Sequence, residues 1–312
     1  RDIQLISPVM IIRDKNNSLS LLFAWSGTIL PKVLGALLCV VLISTLLLYF
    51  SQQHLIHFPQ VPAIGFTIFG VILSIFLSFR NNASYERWWE GRKLWGALIA
   101  HSRHISRDSQ VLDAPARRVL MYRVMLFSHL LRDRLRREHQ DFSSYTDHVN
   151  LNQDEFQALP SHLNAAQLVL EKIQADLVQQ LNNGNISDIV YQGLTQHIVQ
   201  LGNIQAGCDR IASTPLPFAY SVLLHRAVYV FCLILPFSLS QSLGLWTPLL
   251  VAMIAYLVLG LDALSAELEE PFGRQDNDLA LDSIVRLIER EMRTALGDAI
   301  PAAITAQRDN LS

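Results

Sequence analysis

Two stretches without Asp, Glu, Lys or Arg constrain this chain more than anything else in it: 47 residues from Val33 to Phe79, and 35 from Ala227 to Leu261. A helix rises 1.5 Å per residue and the hydrocarbon core of a bilayer is roughly 30 Å thick, so one crossing takes about 20 apolar residues. Each stretch is long enough for two crossings. The first divides into residues 33–50 and 61–79, joined by SQQHLIHFPQ, and the second divides near LSQSLG into residues 222–239 and 246–264. A composition of 51% hydrophobic and 17% charged residues agrees with a membrane protein better than with a soluble one.

Lys and Arg are retained on the cytoplasmic side of short loops, and neither connector, 51–60 or 239–247, carries one. Arg1, Arg13, Lys15 and Lys32 precede the first span, Arg80, Arg87, Arg92 and Lys93 follow the second, and Arg274, Arg286 and Arg290 follow the fourth. Both termini and the middle of the chain are therefore expected in the cytoplasm. This gives five segments: a cytosolic N-terminal segment 1–32, spans 33–79, a helical cytosolic region 80–221, spans 222–264, and a cytosolic C-terminal segment 265–312. The first residues lack the pattern of a cleaved secretory leader. Cys39, Cys208 and Cys232 are odd in number and fall in spans or on the cytoplasmic side, so no disulfide is expected.

No proline falls between Arg80 and Ala114, so the second span is predicted to continue as one helix well past the membrane. Tyr85, Trp88, Trp89 and Trp95 lie just beyond its exit, as an interfacial belt or as packing residues. Further helical patterns cover 119–137, 164–181 and 187–211, with 138–163 reading as a connector. Nothing reads as strand. The fold class predicted is all-α.

No glycine-rich phosphate loop, GxSxG elbow, HExxH or CxxC pair occurs, so no enzyme, cofactor or resident metal is expected, and no nucleic-acid partner. His101 and His104 are three apart on one helix, but no carboxylate or thiol nearby in sequence completes a tetrahedral set, and a solvated or core pair is the expectation. His225 and Arg226 border the second charge-free run and read as the cytoplasmic end of the third span rather than as intramembrane groups.

Three stretches together resemble the bestrophin family of ion channels: SFRNNASYERWWEGRKLWG at 78–96, TPLPFAYSVLLHR at 214–226 and ELEEPFGRQDNDLALD at 267–282. Their order around four spans and the near full-length coverage make the match specific, and the length without a long C-terminal extension resembles the prokaryotic branch, which implies the inner membrane of a bacterium. The resemblance implies a homopentamer embedded in lipid, with five copies of the second span around one axial pore for small monovalent ions. Within that span, at about 100° per residue, Ile68, Ile72 and Phe76 share one face while Gly70, Ser74 and Ser78 fall on the opposite one. Small residues allow close helix approach in a membrane, so the second face is predicted to pack and the first to look into lipid or toward a symmetry axis. The resemblance assigns Ile68, Ile72 and Phe76 to an apolar pore neck, with Ile64 at its outer rim, and such rings can gate by dewetting. It also implies a second constriction at the cytosolic mouth formed by a loop side chain. Ile186 in NNGNISD is the candidate, and its alternative role is a hydrophobic staple beside Ser187 as helix N-cap, packing on Tyr191. Eukaryotic members bind calcium through a dense acidic run after the Pro-Phe-Gly turn; here Asp276, Asp278 and Asp282 are dispersed, which disfavours calcium gating.

An uncharged neck cannot choose an ion by fixed charge, so selectivity falls to the field in the vestibules. Between Glu138 and Cys208 stand eight acidic residues (Glu138, Asp141, Asp147, Asp154, Glu155, Glu171, Asp176, Asp188) against Lys172 alone. The expectation is a lean toward sodium or potassium. The alternatives are a chloride channel, as in eukaryotic bestrophins, or a secondary transporter, which would show inverted repeats or polar groups at mid-span.

Overall fold

Charge-free sequence of this length leaves the backbone no polar partner but itself, and the result is helices. The computed structural model describes residues 10–11, 27–53, 63–137, 159–304 and 310–311. Eight α-helices occur among them: α1 Leu30–Gln52, α2 Ala63–Asp108, α3 Ala114–Arg136, α4 Ala165–Asn182, α5 Asp188–Ser213, α6 Phe218–Leu243, α7 Thr247–Glu269 and α8 Leu281–Leu296. The all-α expectation holds, with one addition: a two-residue antiparallel ladder pairs Met10–Ile11 with Asn310–Leu311. Four helices, α1, α2, α6 and α7, are long and apolar enough to cross a membrane.

The chain divides into two compact units, one of residues 13–88 and 215–270, the other of residues 1–12, 89–214 and 271–312. Because α2 runs unbroken for 46 residues, about 69 Å, it contributes to both. The first unit holds the four apolar helices. Their common core is Val33 and Val40 from α1, Leu73 and Leu77 from α2, Leu224, Val228, Phe231 and Leu235 from α6, and Val251, Ala255 and Leu259 from α7. Pro31 and Pro248 sit in the first turns of α1 and α7, where the missing N–H has no intrahelical partner to lose.

In the second unit α3 is the central helix, buried almost continuously from Leu120 to Leu131, and α4, α5 and α8 pack on it. Local signals set its boundaries. Asp113, Asn164 and Ser187 each cap a helix by accepting a hydrogen bond from a backbone N–H three residues on, from Ala116 at 2.9 Å, Gln167 at 3.2 Å and Val190 at 3.4 Å. Gly297, at φ 74°, ends α8 in the left-handed conformation that glycine adopts without a Cβ penalty. The first unit includes residues 80–88 and 265–270, where the ion pairs described next lie.

Candidate functional site

The four apolar helices of the first unit meet in a buried charge network that hydropathy alone does not reveal. Arg80 on α2 donates through Nη1 to Asp262 Oδ1 on α7, and both residues are only 5% exposed. The other oxygen of Asp262 lies 2.7 Å from His225 Nδ1 on α6. Arg80 Nη2 is 3.9 Å from Glu269 Oε2, Arg87 Nε donates to the Glu269 carbonyl at 3.0 Å, and the Ser84 and Ser265 hydroxyls meet at 3.0 Å. Lys32, just inside α1, pairs with the buried Glu267 at 2.5 Å. One carboxylate, Asp262, therefore joins three helices. His225 takes its place at the polar end of α6, as its position at the border of the charge-free run requires.

That network sets the rotation of α2. Up to Ser84 its buried residues are Leu73, Leu77, Arg80 and Ser84, which recur at helical spacing and lie roughly a quarter turn from the face of Gly70, Ser74 and Ser78. Within the protomer the small-residue face packs only in part. Gly70 does sit against α6, where an added Cβ would come within 3.2 Å of Phe231 Cε2, but Ser74 and Ser78 are exposed. Phe66 stacks on the same Phe231 ring at a centroid distance of 4.7 Å. The helix has turned so that its one buried guanidinium reaches Asp262.

The isoleucine face is left uncovered by this rotation. Ile68, Ile72 and Phe76 are 55%, 48% and 44% exposed, and Ile64, Ile75 and Phe79 are exposed with them. Six large apolar side chains on one helix, uncovered within the protomer, must be covered by lipid or by other copies of the chain. No charged side chain lies on α2 between Ala63 and Phe79. At this face an ion would meet only hydrocarbon.

Ile186 is 8% exposed in the turn between α4 and α5, and Ser187 beside it caps α5, the local arrangement in which Ile186 serves packing. A side chain that narrows an aperture must instead be open to it. Three residues on, Ile189 in the first turn of α5 is 82% exposed. Sequence reasoning passed over it because the turn carried the polar context that made Ile186 conspicuous.

Of the eight acidic residues counted toward a cation field, Glu138, Asp141, Asp147, Asp154 and Glu155 lie outside the described residues. Asp176 is bound by Arg123, whose side chain is buried. Glu171 and Asp188 are exposed. Among the dispersed acids after the Pro-Phe-Gly turn, Asp278 accepts from the Gln275 backbone N–H at 2.7 Å, and Asp282 pairs with Arg132 at 2.9 Å and Arg136 at 2.7 Å. Burial opposes ionisation of Asp282, yet the two guanidiniums hold its carboxyl below the usual carboxylate range. These acids are committed to internal bonds.

The HSRH histidines do have company that their sequence surroundings lack. His197 of α5 stands beside both, and Asp108, at the end of α2, lies 2.9 Å from His197 Nε2. Burial first, then the neighbouring imidazoles His197 and His104, depress the pKa of His101.

Comparison with known proteins follows from this architecture. The family profile described as bacterial and fungal bestrophin protein matches residues 10–294. A voltage-dependent anion channel-forming protein of Mesorhizobium japonicum is 38% identical over 303 residues, covering 96% of this chain and 97% of that protein. One of the same description from Escherichia coli K12 is 38% identical over 306 residues, covering 96% and 98%. Among solved structures, a bacterial bestrophin homologue from Klebsiella pneumoniae superimposes with a TM-score of 0.80 at 32% identity, covering 86% of this chain and 99% of the other.

Proposed function

Because the chain belongs to the bestrophin family of ion channels, and to its bacterial and fungal branch, we propose that it forms a homopentameric anion channel of the bacterial inner membrane, with both termini in the cytoplasm. The observation that carries this reading is the uncovered, uncharged face of α2. Five copies around an axis would cover it and enclose a neck of stacked Ile68, Ile72 and Phe76 rings, a constriction whose wetting sets conduction. The same helix turns a different side to α6 and α7 through Leu73, Leu77 and Arg80, so the geometry supports a pore-lining helix anchored within its own protomer. Ile189, exposed in the first turn of α5, takes the place of Ile186 as the side chain of the cytosolic aperture.

For the sign of the ion, the relatives' names speak for anions, and the described carboxylates speak less for cations than their number does. Asp176 is neutralised by Arg123, whereas Arg226 is exposed with no carboxylate partner among the described residues. A second reading, cation conduction, retains the support of exposed Glu171 and Asp188 and of the acidic excess in the sequence. Native mass spectrometry of the purified protein tests the assembly: a mass of five chains is expected, and a monomer or dimer would overturn it. In planar bilayers Ile68→Ala and Ile72→Ala are expected to raise unitary conductance or open probability. Currents unchanged in both variants, with the oligomer intact, would return the stripe to the lipid side.

A further inference from the structure

Helices α2 and α5 bring three imidazoles together although 96 residues separate His101 from His197. His101 Nδ1 and His197 Nδ1 are 3.4 Å apart. The His104 and His197 rings lie parallel within 11° at a centroid distance of 5.5 Å, and His101 and His104 at 5.8 Å. At 3.4 Å the two Nδ1 atoms are too far apart for a good N–H···N hydrogen bond. The same separation suits a shared ion: two imidazoles bound at 2.0–2.1 Å to a tetrahedral centre hold their nitrogens about 3.4 Å apart.

The tautomer is arranged to match. Asp108 Oδ2, 2.9 Å from His197 Nε2, accepts the proton on that nitrogen and leaves the Nδ1 lone pair directed at His101. A carboxylate that fixes the ring from behind is the outer partner usual for metal-bound histidines, and it makes the imidazole a better donor. His104 completes the set less directly. Its Nδ1 accepts from Arg107 Nη2 at 2.7 Å on an exposed surface, an interaction that a rotamer change of either side chain releases. Among the described residues no three donors already converge on one point. Two nitrogens stand 3.4 Å apart, and the His104 ring centroid lies 5.5 Å from that of His197.

We propose that His101 and His197, oriented by Asp108 and joined by His104, bind a divalent zinc-class cation, with water filling the remaining position. Imidazole donors with one carboxylate outside the coordination sphere favour zinc, nickel or cobalt over calcium and magnesium, which require oxygen ligands. The bound ion ties α5 to α2, the helix that carries the Ile68, Ile72 and Phe76 face. The site itself does not depend on the channel reading.

Isothermal titration of the purified full-length protein with zinc chloride tests it, after chelation of adventitious metal. One zinc ion per chain is expected, with affinity weakened at least tenfold in His101→Ala and in His197→Ala, and about 10- to 100-fold in Asp108→Asn. Affinity unchanged in both histidine variants would overturn the proposal. Zinc X-ray absorption on the wild-type protein is independent of how the variants fold. Two or three imidazoles at 2.0–2.1 Å are expected, and a shell of oxygen alone would refute the site.

Discussion

Removing the carboxylate of Asp262 is predicted to destabilise the protein more than any exposed charge substitution, because Asp262 is the shared partner of two other side chains. In Asp262→Ala the buried Arg80 keeps, among the described residues, only Glu269 at 3.9 Å as a carboxylate neighbour, and His225 loses its bond at 2.7 Å. Arg80 Nε already has no hydrogen-bond partner among the described residues, so the loss adds to a donor already unsatisfied. Breaking one side of a buried ion pair costs on the order of 3–5 kcal/mol, since the surviving charge stays desolvated. At roughly 2–4 °C per kcal/mol, thermal melting of the detergent-solubilised protein should drop by about 6–20 °C. The exposed Arg103–Glu291 pair provides the contrast: Arg103→Ala should cost less than about 1 kcal/mol. Replacing both partners, Arg80→Met with Asp262→Leu, should recover most of the loss, as apolar residues of similar volume fit a low-dielectric site. A single variant that melts within about 2 °C of wild type, or a double variant worse than the single, would refute the reasoning.

The two isoleucines near the start of α5 should separate cleanly: Ile186→Ala is expected to cost about 2–4 kcal/mol of stability by circular dichroism melts, and Ile189→Ala to leave stability within about 0.5 kcal/mol while changing ion permeability ratios in bilayers. Gly70→Leu should destabilise by about 1–3 kcal/mol, because even a Cβ there meets Phe231 at 3.2 Å; melting equal to wild type would contradict the close packing. Asp298 gives a pH dependence. Its hydrogen bond from Arg118 holds the folded-state pKa below the unfolded value, so its contribution is present at neutral pH and lost as pH falls through the carboxylate range toward the lower folded value. The melting difference between wild type and Asp298→Asn should therefore narrow as pH falls below about 5 and go on narrowing toward the lower folded value, and a constant difference would argue against the bond.

The four spans and the unbroken α2 were legible because both rest on local rules, apolar length and the absence of proline. The cap at Ser187 was equally local. What the sequence concealed was rotation about the α2 axis. Small residues at 70, 74 and 78 suggested one packing face, while the buried partner that fixes the rotation, Asp262, lies 182 residues from Arg80. His197 escaped notice for the same reason, standing 96 residues from His101. The acidic excess misled differently: a count of carboxylates contains no information on which are already paired, and Asp176 is.

Unitary current from the purified protein in a planar bilayer, under a tenfold potassium chloride gradient, tests the central claim most directly. The account predicts discrete single-channel steps that reverse near the chloride equilibrium potential. Steps reversing near the potassium value would contradict anion conduction, and saturable flux without unitary steps would contradict a channel altogether.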